Sequence, residues 1–247
     1  MSVTAIIGGS GLYALEGLEE RNVIEVDTVW GAPSAPLVTG VLEGSRVIFL
    51  ARHGNPHRIP PHRVNYRANL QALKDAGASR IIAINAVGGI HPQMGPEALV
   101  VADQIIDYSW GREHTFHADN LDEVVHVDFS YPYSEPLRQQ LIAAASRCSL
   151  PLLDHGVYGC TQGPRLESAA EVNRLERDGV DIIGMTAMPE AGLARELELD
   201  YATLALVVNW AAGRTEELIT MEEIHRVIDS GMSSVLAIVK QVLAATD

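Results

Sequence analysis

The sequence predicts an α/β fold, with a mixed, largely parallel central sheet flanked by helices and built as one domain over residues 1–247. Three observations predict it. Short β-branched runs alternate with segments whose apolar residues recur at helical spacing. The 247 residues are 47% hydrophobic, 20% charged and 5% aromatic, which is a globular composition. A chain of this length buries a sizeable core without disulfides or metals. The alternation itself favours parallel strands joined by helical crossovers.

The elements follow in order. Residues 3–7 are an apolar run ending at Gly8-Gly9, a buried strand entering a tight loop. Residues 23–26, 36–42 and 46–51 read as short strands separated by turns at Gly31, Pro33 and Gly44. Residues 65–76 read as a helix with Ala68, Leu70, Ala72 and Leu73 on its apolar side and Gly77 as its stop. Strands follow at 80–85 and 104–108. Residues 109–134 carry little periodicity and read as a long loop or lid. A helix at 135–148, a strand at 156–161, a helix at 167–177, a strand at 181–185, a helix at 188–198 and a strand at 201–209 come next. Residues 221–245 form a closing helix, with Val227, Val235, Leu236, Val239 and Val242 at helical spacing. No repeat or low-complexity segment interrupts the pattern.

Charge and composition narrow the function. Lys+Arg number 18 and Asp+Glu 32, a net charge of −14. That argues against a nucleic-acid partner held through its phosphates. It leaves room for a small anion held by local donors. The two cysteines, Cys148 and Cys160, lie in no zinc-type spacing and suggest a reducing compartment. The N-terminus lacks the basic and long apolar regions of a signal peptide. No apolar run approaches the roughly 20 residues of a membrane helix. A cytoplasmic protein without a membrane or nucleic-acid partner is expected.

In such sheets ligands bind beyond the carboxyl ends of strands. Those ends are residues 8–11, 52–53, 85–89, 161–165, 185–190 and 209–211. Gly8-Gly9-Ser10-Gly11 suits a phosphate cradle or an ordinary tight turn. The same stretch matches G-x-G-x-x-A through Ala14, with Glu25 and Asp27 as ribose-binding acids of a dinucleotide site. The interval is short, is broken by Gly17 and leads into hairpin-like strands, which disfavours that reading. Arg52-His53-Gly54, with His57 four residues beyond His53, offers a guanidinium fork and an imidazole to an anion. Asn85-Ala86-Val87-Gly88-Gly89 could present a backbone N–H or form a turn. His114 and His117, with Asp119 nearby, form an H-x-x-H that reads as solvated loop histidines, so no metal is expected. Neither a G-x-S-x-G elbow nor a Walker lysine is present.

Taken in order, five motifs are specific. They are the strand-Gly-Gly-Ser10-Gly-Leu loop, Leu50-Ala-Arg52-His53-Gly54 with His57, Asn85-Ala86-x-Gly88-Gly89, Gly163-Pro164-Arg165, and Met185-Thr186-x-x-Pro189-Glu190. From about Ile6 to about Val239 the chain resembles the trimeric purine nucleoside phosphorylase / methylthioadenosine phosphorylase family. The resemblance implies a nucleoside phosphorylase-like fold and a homotrimer or dimer of trimers. It implies a reaction in which a purine nucleoside and phosphate give free base and a pentose 1-phosphate. Inorganic phosphate is a co-substrate, and no cofactor is expected. The phosphate site would be Ser10, Arg52, His53, Asn85, Ala86 and Thr186, and the sugar would lie on Met185. Leu166, beside Glu167, stands where relatives often place an aromatic against the base.

Two positions imply the substrate. Adenine-specific relatives carry two aspartates where this chain has Asn209-Trp210-Ala211. An ionised aspartate only accepts hydrogen bonds, whereas Asn209 also donates, which fits the C6 carbonyl of a 6-oxopurine. In methylthio-specific relatives the last helix lines the 5′ pocket, and here Met221 and Ile224 would make it apolar. His126 matches a histidine that closes this pocket from the neighbouring subunit. The expected substrate is therefore S-methyl-5′-thioinosine, with Arg52, His53 and Asn209 carrying the chemistry. A general inosine/guanosine phosphorylase and a methylthioadenosine phosphorylase are the alternatives. A non-catalytic nucleoside-binding regulator would require a broken phosphate site.

Overall fold

The structure is a computed structural model and describes residues 3–12, 14–119 and 122–245. The N-terminal apolar run is strand β1 (Val3–Gly8). It lies between β4 (Ser45–Ala51) and β5 (Ala78–Gly89) and is parallel to both. Side chains alternate across a strand, so Ala5 and Ile7 join one core layer and Ile6 the other. The first layer is capped by α1 (Tyr66–Asp75) and α4 (Ala187–Glu196), the second by α2 (Glu135–Arg147) and α5 (Met221–Ala244).

The remaining strands extend the sheet. β2 (Glu19–Ile24) and β3 (Leu37–Leu42) form an antiparallel meander onto β4. On the other side run β9 (Ile182–Gly184), β8 (Val157–Cys160) and β7 (Gln104–Asp107). β10 (Asp200–Trp210) pairs in parallel with β5 from Arg80 to Gly89 and antiparallel with β6 (Leu99–Val101). Beside the end of β9, α3 (Ala169–Arg177) packs Val172 and Leu175 on Ile90, Ile183 and Ala211.

Four expectations change. β2 begins at Glu19 rather than Val23. All six of its residues are exposed, so no alternation marks it. β6, three residues long, carries no signal of its own. Residues 85–89 and 209–210 belong to β5 and β10 instead of loops beyond them. Gly88 and Gly89 pair with Ile183 and Ile182, and at Gly89 a Cβ would lie 1.7 Å from the Met94 carbonyl oxygen, which leaves no space for a side chain. Lastly, α5 is long and apolar enough by composition to cross a membrane. It instead buries Val227, Val235, Ile238, Val239 and Val242 in the core.

The dinucleotide reading also fails here. Among the described residues no helix follows the glycine loop, and the next element is the edge strand β2. Tyr13 of the G-x-G-x-x-A match lies outside the described residues. So do Asn120 and Leu121 in the long loop, which otherwise forms no helix or strand over the described residues of 109–134.

The start of α3 is set by a reciprocal cap. Ser168 accepts from the Glu171 N–H, and the Glu171 side chain accepts from the Ser168 N–H. Ser168→Ala should cost about 1 kcal/mol, a fall in Tm of roughly 2–4 °C for a chain of this size. Thermal denaturation checks it, and an unchanged Tm would show the cap to be dispensable.

Candidate active site

One edge of β5 is shared by two partners. β1 follows it as far as the Ile7–Ala83 pair, and β9 takes over at Gly88. Between them the edge is open. The opening is a cavity of about 1050 Å³ that gathers Ser10, Arg52, His53, Asn85, Ala86 and Thr186 at one end. Met185, Leu166, Glu167, Asn209 and Ala211 line it further along, and Met221 and Ile224 reach it from α5. A smaller depression of about 380 Å³ at Trp30 and Phe116 contains none of the predicted site residues.

Arg52 forms the floor. Its Nε and Nη2 donate to the two carboxylate oxygens of Glu190, each at 2.8 Å, and its Nη1 donates to the Ile84 carbonyl at 3.0 Å. Both partners are buried, and Tyr201 Oη adds a third donor to Glu190 at 2.8 Å. Burial works against the charged guanidinium, but the Glu190 carboxylate more than offsets it and raises the Arg52 pKa. The guanidinium fork is thus spent on Glu190 instead of lying open to an anion. Three of its five N–H groups are engaged, and two remain. Gly9 makes room above it, since a Cβ there would lie 2.6 Å from the Ile84 carbonyl and 3.1 Å from Arg52 Nη1.

Neutral donors surround this floor. In a strand, alternate residues share an edge. Ala86 N–H therefore falls on the same open edge as the Ile84 carbonyl. Thr186 precedes α4 without capping it. Its hydroxyl accepts from Asn85 Nδ2 at 2.8 Å, which frees the hydroxyl proton to donate elsewhere. Ser10 adds a half-buried hydroxyl at the loop tip. His53 Nδ1 lies 2.8 Å from the Ile59 carbonyl, which can only accept, so Nδ1 carries the proton. Burial, reinforced by the Arg52 charge, pushes the His53 pKa down to about 4. At neutral pH its Nε2 is therefore a lone-pair acceptor, where the sequence suggested a donor. His57 stacks on His53 with ring centroids 4.5 Å apart, and burial lowers its pKa as well.

The far end has a different character. Asn209 stands opposite Gly88, just after a register shift in β10. Its Nδ2 donates to the Trp210 carbonyl at 2.7 Å, leaving Oδ1 and a second N–H. Ala211 sits beside it, buried, where an acid would change the chemistry. Glu167 accepts from Thr161 Oγ1 at 2.6 Å. Gly163 has φ +59°, and a Cβ there would sit 2.5 Å from Met185 Sδ, so glycine lets that methionine reach the wall. Met221 is 60% exposed, so it belongs to the cavity rim and not to the core face of α5. Ile224 is buried and serves both. His126 departs from the others. It is exposed beside Val124, Val125 and Val127 and does not line the cavity of its own chain.

Several working residues were given no role by the sequence reading, although Glu190 closes one of its five motifs. Glu190 and Tyr201 hold the floor. The signal for Glu190 was one acid inside the otherwise apolar run 187–194. Arg112, from the long loop, is buried and donates to the carbonyls of Thr161, Gln162, Met185 and Met188. It ties the ends of β8 and β9 together under Met185. His225 and Asp229, one turn apart on α5, also line the cavity.

Two outcomes follow for stability. Glu190→Gln leaves a buried guanidinium without its counter-charge and should cost about 3–5 kcal/mol. A loss below about 1 kcal/mol in urea denaturation would contradict that role. His53 has a folded pKa below its ordinary value of 6.5. Its contribution is therefore complete above that value and is lost as pH falls toward about 4, by up to about 3 kcal/mol. The Tm of the ligand-free protein should drop more steeply over this window than that of His53→Asn. Parallel pH profiles would contradict the assignment.

Comparison with known proteins agrees with this geometry. Residues 3–244 match the phosphorylase superfamily. The chain is 58% identical over 246 residues to a probable S-methyl-5′-thioinosine phosphorylase of Pseudomonas syringae pv. tomato, covering 100% of both chains. It is 44% identical to a 6-oxopurine nucleoside phosphorylase of Pyrococcus furiosus, covering 98% of this chain and 91% of the relative. Methylthioadenosine phosphorylase from Schistosoma mansoni, solved in complex with adenine, superposes with a TM-score of 0.92 at 33% identity, covering 99% of this chain and 91% of that one. A glycine loop, a buried Arg–Glu floor and a donor-lined fork thus sit in a chain that belongs to the phosphorylase superfamily.

Proposed function

We propose that the chain is a single-domain phosphorylase of 6-oxopurine 5′-methylthionucleosides, converting S-methyl-5′-thioinosine and phosphate to hypoxanthine and 5-methylthioribose 1-phosphate. The base end of the cavity carries this reading. A 6-oxopurine presents a carbonyl at C6 and an N–H at N1. Asn209 can donate to the first, and the acceptor-only carboxylate of Glu167 suits the second. A 6-aminopurine reverses both groups and would set its N1 lone pair against Glu167. The names of the Pseudomonas and Pyrococcus relatives support a 6-oxopurine substrate.

Phosphate would lie at the Arg52 end, held by Ser10, the Ala86 N–H, Thr186 and the two remaining Arg52 N–H groups. His53 Nε2 would accept the proton of a P–OH group. Asn85 would act through Thr186. A phosphate oxygen forms a bond to C1′ as the bond from C1′ to N9 breaks, and the bonding pair moves into the purine. Asn209 would stabilise the charge developing at O6 and N7. Most of the rate would come from positioning and preorganised dipoles. Met185 would pack on the sugar and Leu166 on the base. Met221 and Ile224 would receive the methylthio group. No organic cofactor or metal enters this scheme.

A second reading has its own observation. His225 and Asp229 bring polar groups to the same α5 rim as Met221, which would suit the 5′-hydroxyl of inosine. We further infer a homotrimer or dimer of trimers in the cytoplasm. The exposed Trp110, Val124, Val125, Val127 and Tyr131 of the long loop support such contacts, with His126 reaching a neighbour's 5′ pocket.

The base end can be tested by exchange. Asn209→Asp with Ala211→Asp should move the kcat/KM ratio toward methylthioadenosine by at least about tenfold, and Asn209→Ala should lower kcat by about 10²-fold. An unmoved ratio, or near-normal turnover of Asn209→Ala, would contradict the reading.

A further inference from the structure

The proposed phosphate site has a charge deficit. Phosphate carries roughly one to two negative charges at neutral pH. The one cation beneath it, Arg52, is matched by Glu190 in a buried bidentate pair. His53 is uncharged there, because burial and Arg52 push its pKa down to about 4. Glu167 and Asp229 add negative charge to the same cavity, within a chain of net charge −14. Hydroxyls and backbone N–H groups supply hydrogen bonds but no net charge. Among the described residues, one other lysine or arginine lines the cavity, and that is Arg58.

Arg58 is placed beside the anion end by its backbone. Its N–H and that of Ile59 both donate to the His53 carbonyl at 3.0 Å, and the Ile59 carbonyl holds His53 Nδ1. The residue is therefore carried by the same turn that orients His53. Its side chain is exposed, and among the described residues no hydrogen bond or ion pair occupies its guanidinium. A long flexible stem with a free charged head, rooted next to the site, can reach an anion without disturbing the floor.

We propose that Arg58 is the counter-charge of the phosphate site, drawing phosphate in and closing its guanidinium on the bound anion. This rests on the phosphate reading of the site. Arg52 with Glu190 would then be a rigid, neutral platform of donors, and Arg58 the element that supplies net charge. The contribution is electrostatic, so it should weaken with salt and be partly kept by lysine.

The test is steady-state phosphorolysis with phosphate varied at saturating nucleoside, at low and high KCl, for the wild type, Arg58→Gln and Arg58→Lys, each first shown to melt normally. Arg58→Gln should raise the KM for phosphate about tenfold, equivalent to about 1.4 kcal/mol. Arg58→Lys should raise it less. The effect on kcat and on the KM for nucleoside should be much smaller. The salt dependence of the phosphate KM should flatten in Arg58→Gln. A phosphate KM within about twofold of wild type, or equal losses for both substrates with no recovery in Arg58→Lys, would overturn the proposal. Ser10→Ala and Thr186→Val separate the two levels. If they raise the phosphate KM while Arg58→Gln does not, the phosphate site stands and Arg58 is excluded. If none of the variants changes it, the phosphate reading falls as well.

Discussion

The buried pair of Arg52 and Glu190 ties together three elements at the floor of the cavity. Arg52 leaves the end of β4, Glu190 sits in α4, and the third contact of the guanidinium is a carbonyl on the open edge of β5. The pair also forces a consequence on the chemistry. A buried charge must be matched, so the guanidinium that looks like an anion receptor in the sequence is largely neutralised. On the phosphate reading, the site would bind through direction and number of donors. Charge must come from elsewhere, and the turn that carries His53 also carries Arg58, whose guanidinium is, among the described residues, the one on the cavity wall without a hydrogen bond or ion pair.

The same economy shapes the rest of the cavity. Asn85 spends an N–H on Thr186 so that the threonine proton can face the cavity. Asn209 spends one on Trp210, which leaves Oδ1 and a second N–H at the cavity it lines. Arg112 spends its donors on four carbonyls and so fixes the backbone around Met185. Preorganised groups of this kind need no reorganisation when charge moves in the transition state.

Much of this was legible in the sequence, for physical reasons. β1, α1 and α5 bury one face or both, and burial writes a period into the residues. The glycine loop, Arg52-His53 and Asn209 sit at strand ends, where chain order and chemistry coincide. What was hidden depends on contacts between distant residues. Glu190 lies 138 positions from Arg52, and only the fold makes it a partner. Arg112 comes from a segment without periodicity, so nothing local marks it as buried. β2 is exposed throughout and β6 is too short to show a pattern. Gly88 and Gly89 suit either a presented backbone N–H or a turn, because glycine serves both. Here both are strand residues of β5, and Gly89 lies against the Met94 carbonyl, where a Cβ would not fit.

The central claim is that this fork binds phosphate at one end and a 6-oxopurine methylthionucleoside at the other. The most direct measurement is base release by the unmodified protein from S-methyl-5′-thioinosine, inosine and S-methyl-5′-thioadenosine, each with and without phosphate. Hypoxanthine release that requires phosphate, with the highest kcat/KM for S-methyl-5′-thioinosine, is the predicted result. Release that is indifferent to phosphate, or a preference for the 6-amino substrate, would contradict the account.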